Sequence, residues 1–531
     1  MMSETSCQIC LKRHFYPLGL EAWKGITASF GHPAGVSEPP QDSSGQVQVE
    51  GEQRYPGVGF RCERVGVGSL ISGRLRRVTA LAAVTASTFL DVSSRVAGAE
   101  TLQSALAQAY QVNPQLNSQR AIVRQTDEGV PQALAGYRPR AAVTANLGGQ
   151  YAEHPGGGSA SSGWTQPRGV AISGQQTLFN GFQTGNRIRA AENAVLGARE
   201  TLRVIEQTVL LDAATAYMNV LRDITILQVQ RSNVRTLEET LRQTRDRFKL
   251  GEVTRTDIAQ AQAQLATGQT QLLAAEATLA GSKAIYRRVM GSEPSRLTPG
   301  TPVDRLAPRV LAAAIAEGTA KNPSVTAAMC GVDVAALQVK IAEGALYPVV
   351  TLQGSVQRAH EPIFGTSEQL SASILGGVTI PIYQGGVEYS AIRQSRETLW
   401  QRRFDLATTR DQARATVVQA WAQHEAAKAQ IQAAREQVKA SEVALNGVVE
   451  EARRGQRTTL DVLIAQQTAV NAGVSLATAQ RDRVVASYAL LAAVGRLSPQ
   501  VLGLAIPVYD PMVHYRQVRD AWAGVRTPDG R

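Results

Sequence analysis

Two stretches of this chain leave little choice of fold. No proline occurs between Pro167 and Pro294, nor between Pro381 and Pro499. Within Asn186–Leu250 the single glycine is Gly197, and within Val387–Arg454 it is Gly447. Proline costs about 3 kcal/mol inside a helix and glycine about 1, so their near absence licenses continuous helices. The 65 residues of Asn186–Leu250, rising about 1.5 Å each, make a rod of roughly 100 Å. Such a rod cannot fold back into a compact domain and must pack lengthwise on other helices. Hydrophobic residues make up 44% of the chain but aromatics only 5%, which favours small contact residues and coiled-coil packing over a large aromatic core.

The rods end on a turn that is written twice. Gly251, Thr254, Asp257, Ala261 and Gln262 recur 204 positions later as Gly455, Thr458, Asp461, Ala465 and Gln466. Gly251 and Gly455 sit where a helix C-terminus wants a left-handed residue. Thr254 to Asp257 and Thr458 to Asp461 then read as T-x-x-D capping boxes that start the returning helices. The repetition extends further. Asn113-Pro114 recurs as Asn322-Pro323, Pro139 as Pro348, and Leu178-Phe179-Asn180-Gly181 as Ile382-Tyr383-Gln384-Gly385. The chain therefore reads as an internal duplication. The first repeat spans 100–292, with a strand pair at 141–178 and a helical hairpin at 183–292. The second spans 309–497, with a strand pair at 349–382 and a hairpin at 385–497. A linker, 293–308, joins them, and a tail, 498–531, follows.

The strand candidates are Ala141–Tyr151, Gly169–Leu178, Val349–Arg358 and Ser371–Ile382. About ten residues is the length a tilted strand needs to cross a bilayer. Four strands cannot close a barrel, because a sealed interior needs about eight, so closure requires several chains. No run approaches the roughly 20 apolar residues of a spanning helix, which says nothing about a barrel.

Arg74, Arg76 and Arg77 precede the apolar run Val78–Leu90, and Ala97-Gly98-Ala99 follows. These are the parts of an export signal over 71–99, with Ala97 and Ala99 flanking a cut before Glu100. Residues 1–70 lie upstream of that signal and read as an over-called start or a disordered extension. The net charge of +11 is scattered among acidic residues on helical stretches, a solvated surface and not a nucleic-acid stripe. His154, His360, His424 and His514 share no metal-ligand spacing, and G-x-S-x-G and P-loop motifs are missing, which argues against an enzyme.

The duplicated plan of strand pair plus helical hairpin resembles the TolC family of outer-membrane channel proteins over Glu100 to Leu504. Its most specific residues are Pro381-Ile382-Tyr383-Gln384-Gly385-Gly386, and Gly455 to Leu463 at the hairpin turn. Ala479 to Arg483 and Leu490 to Leu497 look most like the branch serving type I protein secretion. The resemblance implies an α+β membrane protein. In it a homotrimeric 12-stranded β-barrel, four strands per chain, continues into a periplasmic α-helical barrel of coiled-coil hairpins. It implies no cofactor and no catalysis. The partners it implies are outer-membrane lipid, a periplasmic adaptor (membrane fusion protein) and an inner-membrane ABC exporter, the chain being the passive exit duct. The rival reading is the channel of a small-molecule or drug efflux pump, driven by a proton-coupled partner. A periplasmic coiled-coil scaffold without a barrel is a lower alternative.

By position within the family pattern, Arg457 matches a tethering arginine, Thr256 and Asp257 lie in the turn that receives such tethers, and Asp461 matches a pore-facing aspartate. Gly251, Thr254, Gly455, Thr458 and Thr459 fall at the tips where an adaptor docks. Phe179, Gly181, Tyr383, Gly385 and Gly386 mark the strand-to-helix junctions. The chain departs from the family pattern at Ile464, where a second aspartate is expected. It departs again at Ala452, where a tethering aromatic is expected; Phe248 holds the equivalent place in the first turn.

Overall fold

The computed structural model describes residues 100–154, 161–362 and 367–528. The export signal expected over 71–99, with Ala97 and Ala99, and residues 1–70 lie outside the described residues.

Each repeat opens on short helices: α1 (Leu102–Val112), α2 (Pro114–Asp127) and α3 (Gly129–Leu134) in the first, α6 (Leu311–Lys321) and α7 (Pro323–Gly344) in the second. The long hairpins are α4 (Gln183–Lys249) with α5 (Arg255–Met290), and α8 (Val387–Arg453) with α9 (Thr459–Ala493). Helices α4 and α8 each run 67 residues, about 100 Å. A last short helix, α10 (Met512–Val518), lies in the tail.

The Asn-Pro pairs explain themselves in three dimensions. Asn113 Oδ1 accepts from Gln115 N at 2.9 Å and Asn322 Oδ1 from Ser324 N at 2.9 Å, so each caps the helix that its proline begins. The free amide then reaches the far end of the returning helix. Asn113 Nδ2 donates to Val289 O at 3.2 Å, and Asn322 Nδ2 to Ala493 O at 3.0 Å. One residue type thus pins the short helices to the long hairpin in both repeats.

Along α4 the buried residues recur every seventh position: Leu202, Val209, Ala216, Asp223, Gln230, Leu237 and Thr244. A second stripe runs Ala213, Val220, Leu227, Val234 and Leu241. On α8 the buried series Ala413, Ala420, Ala427, Ala434 and Ser441 has the same spacing. A seven-residue period keeps one seam facing its neighbour, and small residues on it let the rods approach closely. The main core gathers Leu102, Leu106, Leu210, Tyr217, Tyr286, Tyr488 and Leu491 where α1, α4, α5 and α9 meet.

The strands are β1 (Arg140–Leu147), β2 (Gln150–His154), β3 (Ser161–Thr165), β4 (Arg168–Asn180), β5 (Val349–His360) and β6 (Glu368–Thr379). β1-β4-β5-β6 form one antiparallel sheet, with the two repeats joined through β4 and β5. β1 and β6 are its edges.

All four strand candidates have different bounds in the structure, β5 running two residues past Arg358 to His360. The candidate Ala141–Tyr151 is broken at Gly148-Gly149, and its end pairs instead with β3 in a separate two-stranded ribbon. The pairing of β4 slips between Thr177 and Phe179, a bulge at Leu178, and the strand continues to Asn180. β6 starts at Glu368 and stops at Thr379, short of Ile382, because Pro381 has no N–H to donate.

Candidate functional site

The sheet has two chemically different faces. Directly paired residues share a face, so each register row can be read across it. Val143, Ile172, Val356 and Ala372 form one row, and Ala145, Val170, Arg358 and Leu370 another on the same side. The opposite side carries Ala142, Ser173, Ser355 and Ser373, then Thr144, Ala171, Gln357 and Ser371. Ser355 and Ser373 hydroxyls lie 3.0 Å apart. A face that is apolar up to its far end, where Arg358 pairs with Glu368, backed by a hydroxyl- and amide-bearing one, is what a sheet needs to separate hydrocarbon from water. The large apolar residues on it are bare in the single chain: Leu147 is 83% exposed and Ile374 82%.

The strand-to-helix junctions differ between repeats. Gly181 sits at φ +63°, and a Cβ there would collide with the Gly344 carbonyl and Tyr347 of the second repeat. Phe179 stacks edge-on with Phe182, ring centroids 5.2 Å apart. Gly385 (φ +68°) and Gly386 (φ +85°) share the left-handed backbone, but nothing lies within 4 Å of where their Cβ atoms would be. Tyr383 is 76% exposed. The first junction is covered by α7, and its twin stands open.

Both hairpin tips are built alike. Gly251 and Gly455 each take φ +77°. Thr254 N and Oγ1 donate to Asp257 Oδ2 at 2.8 and 2.7 Å, and Thr254 Oγ1 accepts from Asp257 N at 3.3 Å. At the second tip Thr458 N and Oγ1 donate to Asp461 Oδ2 at 3.0 and 2.9 Å, and Asp461 N returns the bond at 3.2 Å. The Thr254 hydroxyl and then its amide hold Asp257 below the usual carboxylate range. For Asp461 the Thr458 amide is the main cause, then its hydroxyl. Both capping boxes form, so both aspartates stay ionised at neutral pH.

Arg457 Nε donates to Glu451 Oε2 at 2.9 Å within its own turn, and Glu451 raises its pKa further. Among the described residues no hydrogen bond or ion pair joins Arg457 to Thr256 or Asp257. Thr256 is exposed, Thr459 half-buried, Ile464 56% exposed and Phe248 36%. A groove of about 500 Å³ runs between the hairpins above the tips, lined by Thr240, Gln243 and Arg247 of α4, Asn446 and Val449 of α8 and Val462 of α9.

A buried polar seam joins the hairpins. Gln466 Nε2 donates to Asn233 Oδ1 at 3.0 Å, and Gln264 Nε2 to Gln467 Oε1 at 3.0 Å. Further from the tips Arg481 Nε donates to Asn219 Oδ1 at 2.8 Å. Within the first hairpin Asp223 takes a bond from Ser282 and one at 2.8 Å from Arg222. The sequence reading missed Asp223 and Asn233. For Asp223 the signal was a polar residue falling on the seven-residue stripe of buried positions; Asn233, beside the second stripe, carries no such signal.

The sequence matches a family model described as "Outer membrane efflux protein" over residues 80–292 and 314–496. It is 41% identical over 442 residues to the outer membrane efflux protein BepC of Brucella suis, covering 83% of this chain and 95% of that one. It is 25% identical over 425 residues to the outer membrane protein TolC of Escherichia coli, covering 77% and 85%. Identity with the alkaline protease secretion protein AprF of Pseudomonas aeruginosa is 24% over 331 residues, 59% of this chain and 67% of that one. The fold matches the outer membrane channel CmeC of Campylobacter jejuni with a TM-score of 0.67 at 14% identity, over 79% of this chain and 89% of that one.

Proposed function

This chain belongs to the outer membrane efflux protein family, and from that premise we propose that three copies form the passive exit duct of a tripartite export machine. It is an outer-membrane channel protein whose helical part stands in the periplasm. The observation that carries the trimeric reading is the sheet: one apolar face, one polar face, four strands and two open edges. Three such sheets supply twelve strands, enough to enclose a water-filled lumen. The bare junction at Gly385 supports the same reading. Its twin at Gly181 is covered by the next repeat, so Gly385 awaits the next copy.

In that assembly the tips face a periplasmic adaptor, which would dock at Gly251, Thr254, Gly455, Thr458 and Thr459. An inner-membrane transporter would supply the energy. Three Asp461 carboxylates would ring the narrow end and favour cations. Arg457, released from Glu451, would tether one hairpin to Thr256 or Asp257 of the next. Heat-modifiable migration of an outer-membrane trimer, with ion conduction in planar bilayers, tests the duct; a monomer without conduction refutes it.

For cargo we favour small-molecule efflux, on the 41% identity to a protein named for efflux across 95% of its length. Protein secretion is the second reading, favoured by the Ala479 to Arg483 and Leu490 to Leu497 segments and by the relative named for protease secretion. Deleting the gene separates them. Hypersensitivity to amphiphilic toxicants with normal protein export supports efflux, and the reverse pattern supports secretion.

A further inference from the structure

The tail after α9 follows the second repeat but lies on the first. Ile506 and Tyr509 pack against the cluster of Tyr110, Leu116, Val123, Leu202 and Val209. Arg120 places its guanidinium 4.6 Å from the Tyr110 ring centre and 5.3 Å from that of Tyr509. Farther along, His514 Nδ1 lies 3.1 Å from the carboxylate of Asp127, which is fully buried, and Arg199 covers the Tyr515 ring at 5.1 Å. Last, Arg138 covers the Trp522 ring at 4.7 Å and donates from Nη1 to Ala521 O at 2.6 Å.

Among the described residues this seat exists once. The register that pairs Asn113 with Asn322 and Pro139 with Pro348 places Thr319, Met329, Ala336 and Tyr347 where the first repeat has Tyr110, Arg120, Asp127 and Arg138. At those four positions the residue that holds the tail is replaced by one that cannot make the same contact, although Arg199 keeps an arginine counterpart in Arg403 at the 204-residue offset of the hairpins.

The seat also has a destination. Arg138 lies two residues before β1, and the register sets the start of β1, the end of β4, the start of β5 and the end of β6 at one end of the sheet. Tyr137, Phe182, Tyr347 and Tyr383 are exposed around those strand roots, and Trp522, 72% exposed, joins them. Between Tyr515 and Arg526 the tail carries exposed Arg516, Arg519 and Arg526 against one acid, Asp520. Indole and phenol rings with nearby guanidinium groups suit the layer where hydrocarbon gives way to phosphate headgroups.

We infer that the C-terminal segment is a strap anchored at the periplasmic face of the outer membrane, with Trp522 in the phospholipid headgroup layer. This rests on the membrane placement of the sheet. The test uses the full chain and its Trp522→Phe variant, each reconstituted in phosphatidylethanolamine–phosphatidylglycerol vesicles containing lipid brominated high on the acyl chain. The native protein should lose a share of its tryptophan emission to the bromolipid that Trp522→Phe does not lose, and Arg138→Ala should shrink that share. Equal bromolipid quenching of native and Trp522→Phe protein overturns the strap. Added iodide quenching in the native chain would then place Trp522 in water, and none would place it under a second copy of the chain. Heat-modifiable migration of each sample separates the two levels of failure: if the native chain shows none, the membrane placement itself has failed.

Discussion

One carboxylate does two things at the second hairpin tip. Asp461 closes the capping box with Thr458 and, in the proposed trimer, lends its charge to the pore. The two roles come apart by mutation. Thr458→Ala removes the cap, about 1 kcal/mol of helix stability, and leaves the charge. Asp461→Ala removes both. Cation selectivity in planar bilayers should fall with Asp461→Ala and hold with Thr458→Ala; equal effects would take Asp461 out of the pore. Arg457→Ala should raise resting conductance in the same assay, and an unchanged baseline removes the tether. The pH response has a definite sign. The folded values of Asp257 and Asp461 lie below those of free carboxylates, near pH 4, so their capping contribution is complete above that pH. It disappears as pH falls through the depressed folded values. Amide exchange at the tips should therefore keep the same protection between about pH 5 and 8 and lose it only in stronger acid.

At the scale of elements, the repeats make internal controls for one another. Gly181 and Gly385 share a left-handed backbone, but only Gly181 is crowded by the Gly344 carbonyl. Gly385→Ala should cost about 1 kcal/mol of backbone strain, whereas Gly181→Ala adds a steric clash that displaces α7 from the junction. Thermal melting of the two variants should rank Gly181→Ala well below Gly385→Ala, and equal melting would disprove the difference in packing. The rods and tips were legible in sequence because proline, glycine and T-x-x-D act locally. The break at Gly148-Gly149 and the bulge at Leu178 were not, since strand pairing decides them. Asp223 and Asn233 looked like solvated surface, and only the packing of one rod on another buries them. The sidedness of the sheet was also beyond reach, because it needs four strands in register.

For the whole molecule, that sidedness predicts two kinds of mutant from neighbouring rows. Val356→Arg puts a charge on the apolar face, about 2–4 kcal/mol if it lies near the bilayer midplane, and should deplete the outer-membrane trimer. Ser373→Arg, on the hydroxyl face, should insert normally and lower single-channel conductance. Membrane fractionation and bilayer recording distinguish them, and the opposite pattern would invert the sheet. The open edges of β1 and β6 have a consequence for biogenesis. Backbone N–H and C=O groups that lack partners are not tolerated in hydrocarbon, so a lone sheet cannot wait there for its neighbours. Newly exported subunits must find one another before they enter, which makes insertion rate rise more steeply than linearly with periplasmic chain supply. Scarce subunits are then left with sticky margins, open to misassociation or proteolysis.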